Sequence, residues 1–192
     1  MTDKEKIPTK QRILEAATEL FHQKSYGEVT LYNVADAINL KQGHVYYHFK
    51  TLRDLGLAVL HCHHDEVKSM LNILSKASSP RERLIAFLNL SNTIEDYYMH
   101  WGCPIASLTD ALIRESKTSK ERKEVPLIYQ TQIEWFQDNF EELGIEKTNA
   151  YRKAQTIMSN LQGSIHMGYV LGKPEIFKNF IKTEIQGIKK MK

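Results

Sequence analysis

Residues 41–50 bring together side chains that can bind the phosphate backbone and the base edges of a nucleic acid. No acidic residue lies between Ala37 and Arg53, and Lys41, Lys50 and Arg53 are expected to make this stretch positively charged, although the whole chain carries only +3. Lysine neutralises phosphate charge, while glutamine and other polar side chains can pair with base edges. The segment therefore predicts nucleic-acid binding. Its candidate contact residues are Lys41, Gln42, His44, Tyr46, Tyr47, His48 and Lys50.

Two short helices joined by a tight turn, at about residues 30–49, are predicted to position these side chains. Thr30 can cap the first helix through its hydroxyl, and Asn39 suits the left-handed backbone at a helix end. Gly43 would allow a phosphate or a second helix to approach closely. A helix-turn-helix of this kind lays its second helix in the major groove of DNA. Apolar residues at helical spacing form its inner side, namely Leu31, Val34, Ala35, Ile38, Val45 and Phe49.

Helical patterns also cover nearly all of the remaining chain. Thr51 with Asp54, and Ser79 with Glu82, have the spacing of capping boxes that begin helices. We expect a helix from Ser79 to about Trp101 and a polar loop at 116–120. The other expected helices span about residues 9–24, 51–74, 105–114, 125–143, 149–171 and 174–190.

Small residues recur on the penultimate helix, at Gly163, Ser164 and Gly168. Glycine costs a helix about 1 kcal/mol relative to alanine, so two glycines on one helix call for a packing reason. The last two helices of two subunits could form a four-helix interface here. Packing within one chain is the alternative.

Composition limits the class of protein. The chain has 192 residues, of which 42% are hydrophobic and 26% charged, as in ordinary globular proteins. No apolar run approaches the roughly 18–20 residues that span a bilayer, and the polar N-terminus does not resemble a secretory signal. The two cysteines, Cys62 and Cys103, suit a reducing compartment. We therefore expect a cytoplasmic protein without a membrane partner.

The chain resembles the TetR family of transcriptional regulators, most strongly from Arg12 to Leu55. A tyrosine-tyrosine-histidine-phenylalanine-lysine block at a fixed distance from a capping threonine is the most specific part of this resemblance. The segments that carry it are Arg12–Ala17, Leu20–Phe21, Gly27, Thr30, Val34–Ala35, Gly43, Val45–Lys50 and Asp54–Leu55.

The resemblance implies an all-α protein of about nine helices in two domains. Residues 1–53 would form a three-helix DNA-binding domain, and residues 54–192 a helical domain that binds a ligand and dimerises. The expected function is that of a homodimeric repressor, paired through its last two helices. It would bind a palindromic operator in double-stranded DNA and leave it when a small-molecule inducer binds. No enzymatic activity, cofactor or metal is expected.

DNA-contact roles can then be assigned by position. Thr30 and the backbone at Gly43 are expected to meet phosphates, and Lys41 adds an ionic phosphate contact where relatives carry a small hydroxyl residue. Phosphate contacts set the position of a protein on DNA, whereas base contacts set its specificity. Further phosphate contacts are expected from Tyr47, His48 and Lys50, and base contacts from Gln42, His44 and Tyr46.

The resemblance also requires a ligand pocket. A dense aromatic run, Tyr97–Trp101, precedes Gly102-Cys103-Pro104 and could line such a pocket or simply fill a helical core. Cys103 would stand at a helix N-terminus, which favours thiolate and hence a response to electrophiles; a buried, unreactive thiol is the alternative. The expected pocket residues are His63, Tyr98, Trp101, Cys103, Trp135 and His166.

Two other functions remain open at this stage. One is an enzyme that uses Cys103 with a nearby base such as His100. The other is an architectural DNA-binding protein without a ligand. The histidine-rich segment His61–Asp65 offers a partial metal site, although a hydrated or pocket-lining helix face fits the spacing better because no second ligand cluster matches it.

Overall fold

The computed structural model describes residues 7–191, which form eleven α-helices, one turn of 3-10 helix (Tyr26–Glu28) and no strand. The all-α fold class is therefore confirmed. The helices are α1 (Thr9–Gln23), α2 (Leu31–Ala37), α3 (Gln42–His48), α4 (Leu52–Leu74), α5 (Pro80–Thr93), α6 (Glu95–Trp101), α7 (Pro104–Glu115), α8 (Ser119–Glu124), α9 (Leu127–Glu142), α10 (Lys147–Leu171) and α11 (Glu175–Lys190).

The structure has two more helices than the expected nine. The single helix predicted from Ser79 to Trp101 is broken at Ile94, whose φ of −109° and ψ of 21° depart from helical geometry. The predicted polar loop at 116–120 instead leads into α8. A capping box begins that helix, because Thr118 accepts from the Glu121 N–H while the Glu121 carboxylate accepts from the Thr118 N–H.

The predicted helix starts at Thr30, Thr51 and Ser79 all occur. The Thr30 hydroxyl accepts from the Asn33 N–H at 3.1 Å, and the Asn33 side chain accepts from the Thr30 N–H at 2.9 Å. Thr51 and Asp54 exchange the same pair of bonds, each at 3.0 Å. These reciprocal bonds satisfy backbone donors that a helix N-terminus otherwise leaves open.

The chain folds into two compact units. The first runs to His63 and also includes Pro104–Val125; the second comprises His64–Cys103 and the chain from Pro126 onward. Helix α4 contributes residues to both. This grouping by packing differs from the predicted domain division after residue 53, which concerns function and stays a prediction. Residues 104–125 belong to the first unit because α7 packs on α1 and on the 3-10 turn.

The core of the first unit joins the helix-turn-helix to α4 and α7. Tyr26 lies on Phe21, with ring centroids 5.3 Å apart, and its hydroxyl donates to Glu115 on α7. Gly56 on α4 admits this ring, because a Cβ there would lie 2.9 Å from Tyr26 Cε2. The buried apolar side chains of this unit include Ile13, Leu14, Ala17, Phe21, Val29, Leu31, Val34, Ala35, Val45, Phe49, Leu55, Val59, Leu60, Leu108 and Leu112.

The second unit has a larger apolar core, formed mainly by α5, α9, α10 and α11. Of the three small residues on α10, two serve this intramolecular packing. A Cβ on Gly168 would lie 3.0 Å from Met99 Sδ, and the buried Ser164 donates to the Leu161 carbonyl. Only Gly163 faces open space. The largest fully buried side chains of this unit are Phe136, Phe140, Phe177, Leu84, Leu88, Ile128, Ile165 and Ile188.

Candidate nucleic-acid interface

The turn between α2 and α3 is held by backbone hydrogen bonds and by one long side chain. Asn39 adopts the left-handed conformation, with φ of 53°, and the Leu40 N–H donates to the Ala35 carbonyl at 2.9 Å. Arg12 on α1 donates from Nη2 to the Ile38 carbonyl at 3.0 Å. These bonds fix the angle at which α3 leaves α2.

Helix α3 has one buried side and one side open to solvent. Val45 is fully buried and Phe49, which ends the helix, is nearly so, as their apolar spacing predicts. Tyr47 is 78% exposed. All but one of the predicted DNA-contact residues are exposed, and His48 is half-buried. The exposed ones are Thr30, Lys41, Gln42, Gly43, His44, Tyr46, Tyr47 and Lys50.

The charge on this face is not neutralised within the unit. Within residues 7–191, neither Lys41 nor Lys50 pairs with a carboxylate. Tyr47 meets the His48 ring edge-on, with centroids 5.1 Å apart, which orients both side chains. The arrangement leaves cationic and hydrogen-bonding groups directed outward, as binding to phosphates requires.

The sequence predicts that Arg53 adds to this positive surface, and the structure shows that this prediction is wrong. Its side chain is only 17% exposed and lies against Glu115 and Glu121. It also donates to the Leu112 carbonyl and to the Ser116 hydroxyl. Arg53 is therefore a structural cation, and the acid-free stretch contains one free cation fewer than its sequence suggests.

Two exposed features of the first unit were not predicted. Tyr32, in the first turn of α2 beside Thr30, is 59% exposed and presents a hydroxyl next to the helix start. Helix α8 and the residue before its cap carry four exposed cations, Lys117, Lys120, Arg122 and Lys123. The charges of the helix-turn-helix segment alone could not reveal these four cations, because α8 joins this unit only through tertiary packing.

The predicted ligand-pocket residues are divided between the two units, with His63 in the first and the other five in the second. Tyr98 and Cys103 are neighbours in the second unit, and both pack against its apolar core. Burial raises the pKa of the Tyr98 hydroxyl, with Cys103 the next contributor, so this phenol stays protonated. The Tyr98 ring meets Phe177 edge-on at 5.8 Å.

The other predicted pocket residues have different surroundings. Trp135 donates from Nε1 to the Ser75 hydroxyl at 2.8 Å and lies against Phe87. Trp101 and His166 are exposed in the second unit. His63 belongs to the first unit, where its ring stacks on His22 with centroids 5.7 Å apart. Their assignment to a pocket stays a prediction.

The histidine-rich segment of α4 makes separate contacts. His61 pairs with Glu124 at 2.7 Å, and His64 lies 2.8 Å from the Thr131 hydroxyl. Among residues 7–191, no three His, Cys, Asp or Glu side chains are grouped so that they could hold a metal ion. Over the same residues, no helix has the length and apolar character needed to cross a bilayer.

Comparison with known proteins places residues 13–59 in the family described as "Bacterial regulatory proteins, tetR family". This range contains the end of α1, the helix-turn-helix and the first turns of α4. The chain is also similar to an uncharacterized HTH-type transcriptional regulator in the lacX 3′ region of Lactococcus lactis subsp. lactis. The two are 26% identical over 163 residues, which cover 82% of this chain and 81% of that protein.

A second relative is IcaR of Staphylococcus aureus, described as the biofilm operon icaADBC HTH-type negative transcriptional regulator. It is 25% identical over 123 residues, covering 55% of this chain and 66% of IcaR. A crystal structure of a TetR transcriptional regulator from Legionella pneumophila has the same fold. Its TM-score is 0.81 at 23% identity, over 95% of this chain and 98% of that one. Residues 13–59 are therefore a helix-turn-helix domain of the TetR family, and the chain as a whole has the fold of a TetR transcriptional regulator.

Proposed function

We propose that the chain is a homodimeric repressor that binds a palindromic operator through α3 of each subunit. The observation that carries this proposal is the face of α3, which is exposed, cationic and rigidly set by Arg12 and the capped α2. A helix in this setting fits the major groove, with α2 lying across the backbone. The similarity to IcaR, which is described as a negative transcriptional regulator, supports repression rather than activation.

The contacts to DNA divide into two kinds. Lys41, Tyr47, His48 and Lys50 bind phosphates, together with Thr30 and the backbone of Gly43. Gly43 suits this role because no atom lies within 4 Å of where its Cβ would be, so a phosphate can approach its main chain. Gln42, His44 and Tyr46 approach base edges, and a glutamine can form two hydrogen bonds with adenine.

A second copy of the chain is the proposed partner of α10 and α11. Near its C-terminal end, α10 exposes Met167, Val170 and Leu171, and one turn earlier Gly163 leaves space for a close helix. Symmetric pairing of these helices would give a dimer that carries two α3 helices related by a two-fold axis. A two-fold protein then requires a two-fold operator, whose half-sites lie one helical turn of DNA, about 34–36 Å, or a multiple of it apart.

The second unit is proposed to bind the inducer near Tyr98 and Cys103. A protonated phenol and a thiol beside an apolar core offer a small molecule a few polar groups in apolar surroundings. Trp101, Trp135 and His166 of the same unit complete the proposed set, whereas His63, the remaining candidate, belongs to the first unit. An electrophilic inducer would react at Cys103. We propose a cytoplasmic regulator without enzymatic activity.

Operator binding is tested with a labelled duplex that spans the region upstream of the gene encoding the chain. Footprinting should show a protected palindrome, and fluorescence anisotropy should show affinity that falls steeply as salt rises from 50 to 200 mM. An architectural protein would instead protect DNA without a defined palindrome. Affinity that is absent or insensitive to salt would refute the proposal.

Inducer binding is tested by thermal shift against a library of small apolar and electrophilic compounds. A ligand at 100 times its Kd stabilises the folded protein by about 2.7 kcal/mol, which shifts the melting midpoint measurably. The hit should also release the labelled duplex. Mass spectrometry after alkylation of the native protein tests the electrophile hypothesis, which fails if only Cys62 is labelled. Turnover of the hit would point to an enzyme instead.

A further inference from the structure

We propose that α8 and the residue before its cap form a second DNA-binding surface, which contacts phosphates beyond those reached by the helix-turn-helix. The α8 surface consists of Lys117, Lys120, Arg122 and Lys123. The inference rests on the proposed function in one respect, namely that the first unit binds DNA. It adds a set of contacts that belongs to a sequence segment nearly 70 residues away from α3.

Acidic and basic side chains have different surroundings in residues 115–124, which include the end of α7 and all of α8. The three acidic residues of this range are paired with groups of the first unit. Glu121 lies 3.4 Å from Arg53 Nη2, and Glu124 lies 2.7 Å from His61 Nε2. Glu115 accepts from the Tyr26 hydroxyl at 3.2 Å and lies 3.5 Å from Arg53. All of these partners belong to α4 or to the 3-10 turn, so the acids are used in holding α7 and α8 to the unit.

The four cations of the α8 surface are left without such partners. Each is exposed, and within residues 7–191 none forms an ion pair. Arg114, just before them, is different because it pairs with Asp110 one turn earlier. Four exposed and unpaired cations within one short segment create a local positive potential that attracts anions.

The α8 surface lies next to the start of α4, which follows the recognition helix directly. Lys50 precedes Arg53 by three residues, a stretch that spans at most about 11 Å. The Glu121 carboxylate touches the Arg53 guanidinium and also accepts from the backbone N–H of Lys117 at 2.9 Å. One carboxylate therefore separates the Arg53 side chain from the beginning of the α8 surface.

DNA is the occupant that these observations favour. The surface belongs to the same compact unit as α3, the Glu121–Arg53 pair joins it to the start of α4, and its charge is complementary to the duplex. It presents flexible lysines and no aromatic base-reading side chain, which suits contact with the backbone rather than with bases. We therefore expect it to raise affinity and on-rate without changing which operator is preferred.

The test replaces the four cations by glutamine, as Lys117→Gln, Lys120→Gln, Arg122→Gln and Lys123→Gln in one variant. The control changes two exposed lysines of the second unit that lie outside α10 and α11, as Lys68→Gln and Lys76→Gln in one variant. Anisotropy with a 40-bp mixed-sequence duplex gives the slope of log affinity against log salt. Each lost phosphate contact makes that slope shallower by about 0.9.

We expect the α8 variant to lose at least tenfold in affinity at 100 mM salt and its slope to become shallower by two or more, while the control keeps the native slope. Lys50→Ala, measured alongside, reports on the helix-turn-helix separately. If Lys50→Ala weakens binding but the α8 variant keeps the native slope, the inference is wrong while the proposed function stands. If the native chain itself shows no salt-dependent affinity for the duplex, the proposed function fails. If the fourfold variant folds poorly, the double variant with Lys120→Gln and Lys123→Gln replaces it in the test. Its salt slope should become shallower by one or more, and an unchanged slope would refute the inference.

Discussion

The guanidinium of Arg53 donates a hydrogen bond of 3.1 Å from Nη1 to the main-chain carbonyl oxygen of Leu112. This bond ties the first turn of α4 to the last turn of α7, two elements that are almost 60 residues apart in sequence. The same side chain lies against Glu115 and Glu121. One cation thereby organises α7 and α8 around the segment that follows the recognition helix.

Replacing Arg53 by methionine should lower the free energy of unfolding of the chain by about 1–3 kcal/mol, because it leaves a carbonyl and two carboxylates without their charged donor. Urea denaturation followed by circular dichroism measures this. Arg114→Met is the matched control. Its ion pair with Asp110 is largely solvent-exposed, so the expected change is within about 1 kcal/mol. Equal effects of the two changes would contradict a structural role for Arg53.

Gly56→Ala should destabilise the chain although alanine favours helices. The new Cβ would lie 2.9 Å from Tyr26 Cε2 and 3.2 Å from Leu112 Cδ2, and the Tyr26 hydroxyl is held by Glu115. Overpacking of this kind costs about 1–3 kcal/mol, which exceeds the gain in helix propensity. Gly187→Ala on α11 is the control, because nothing lies within 4 Å of its Cβ position. It should stabilise the chain slightly in the same urea titration.

Local signals in the sequence predicted the helix-turn-helix well. The cap at Thr30, the left-handed Asn39 and the buried Val45 and Phe49 all depend on near neighbours in the chain. The exposure of the candidate DNA-contact residues could also be predicted, because apolar spacing defines the inner side of α3 and leaves the rest outward.

Other features depend on packing between distant segments and could not be predicted. Arg53 was expected to be a free cation, because the acids that bind it lie more than 60 residues further along. Glycines illustrate the same limit, since Gly168 faces Met99 of its own chain while Gly163 faces open space. The pocket residues were chosen by type, and residue type does not distinguish a core aromatic such as Phe136 from one that meets a ligand.

Gln42→Ala and Lys50→Ala should separate specificity from affinity. Loss of a base contact by Gln42 should cost about 1–3 kcal/mol at a single operator position and leave other sequences unaffected. Loss of the Lys50 phosphate contact should weaken binding to all sequences alike and make the salt slope shallower by about 1. Competition among operators with single base-pair changes measures both effects. A changed sequence preference in Lys50→Ala would contradict its assignment to phosphate.

The free energy of unfolding should depend on pH through both Glu184 and Glu121. As pH rises, the contribution of Glu184 should fall and that of Glu121 should grow. Burial raises the pKa of Glu184, with Lys153 opposing it, so the folded state binds this proton more tightly. Stability therefore falls as pH rises from the ordinary glutamate pKa through the raised one, and Glu184→Gln should stabilise the chain at neutral pH.

For Glu121, the backbone N–H groups of Lys117 and Thr118 lower the pKa, with Arg53 contributing further. Its contribution to stability is present above the ordinary glutamate pKa and is lost as pH falls through the lowered one. Glu121→Gln should therefore destabilise the chain at neutral pH. Urea titrations between pH 3 and pH 8, at constant protein concentration, measure both variants. Shifts of the same sign in the two would contradict these causes.

Val170→Lys should convert the proposed dimer into monomers. Val170 is 59% exposed on α10, close to Met167 and Leu171, and a pair of lysines facing each other across a two-fold axis would be both repelled and desolvated. The control is Ile73→Lys on α4, an apolar residue of similar exposure that lies outside the last two helices. Analytical ultracentrifugation should give a monomer mass for Val170→Lys and a dimer mass for Ile73→Lys. The monomer should retain its helical content but bind operator far more weakly, because each subunit then contributes one α3 alone. A dimeric Val170→Lys, or monomers caused by Ile73→Lys, would place the interface elsewhere.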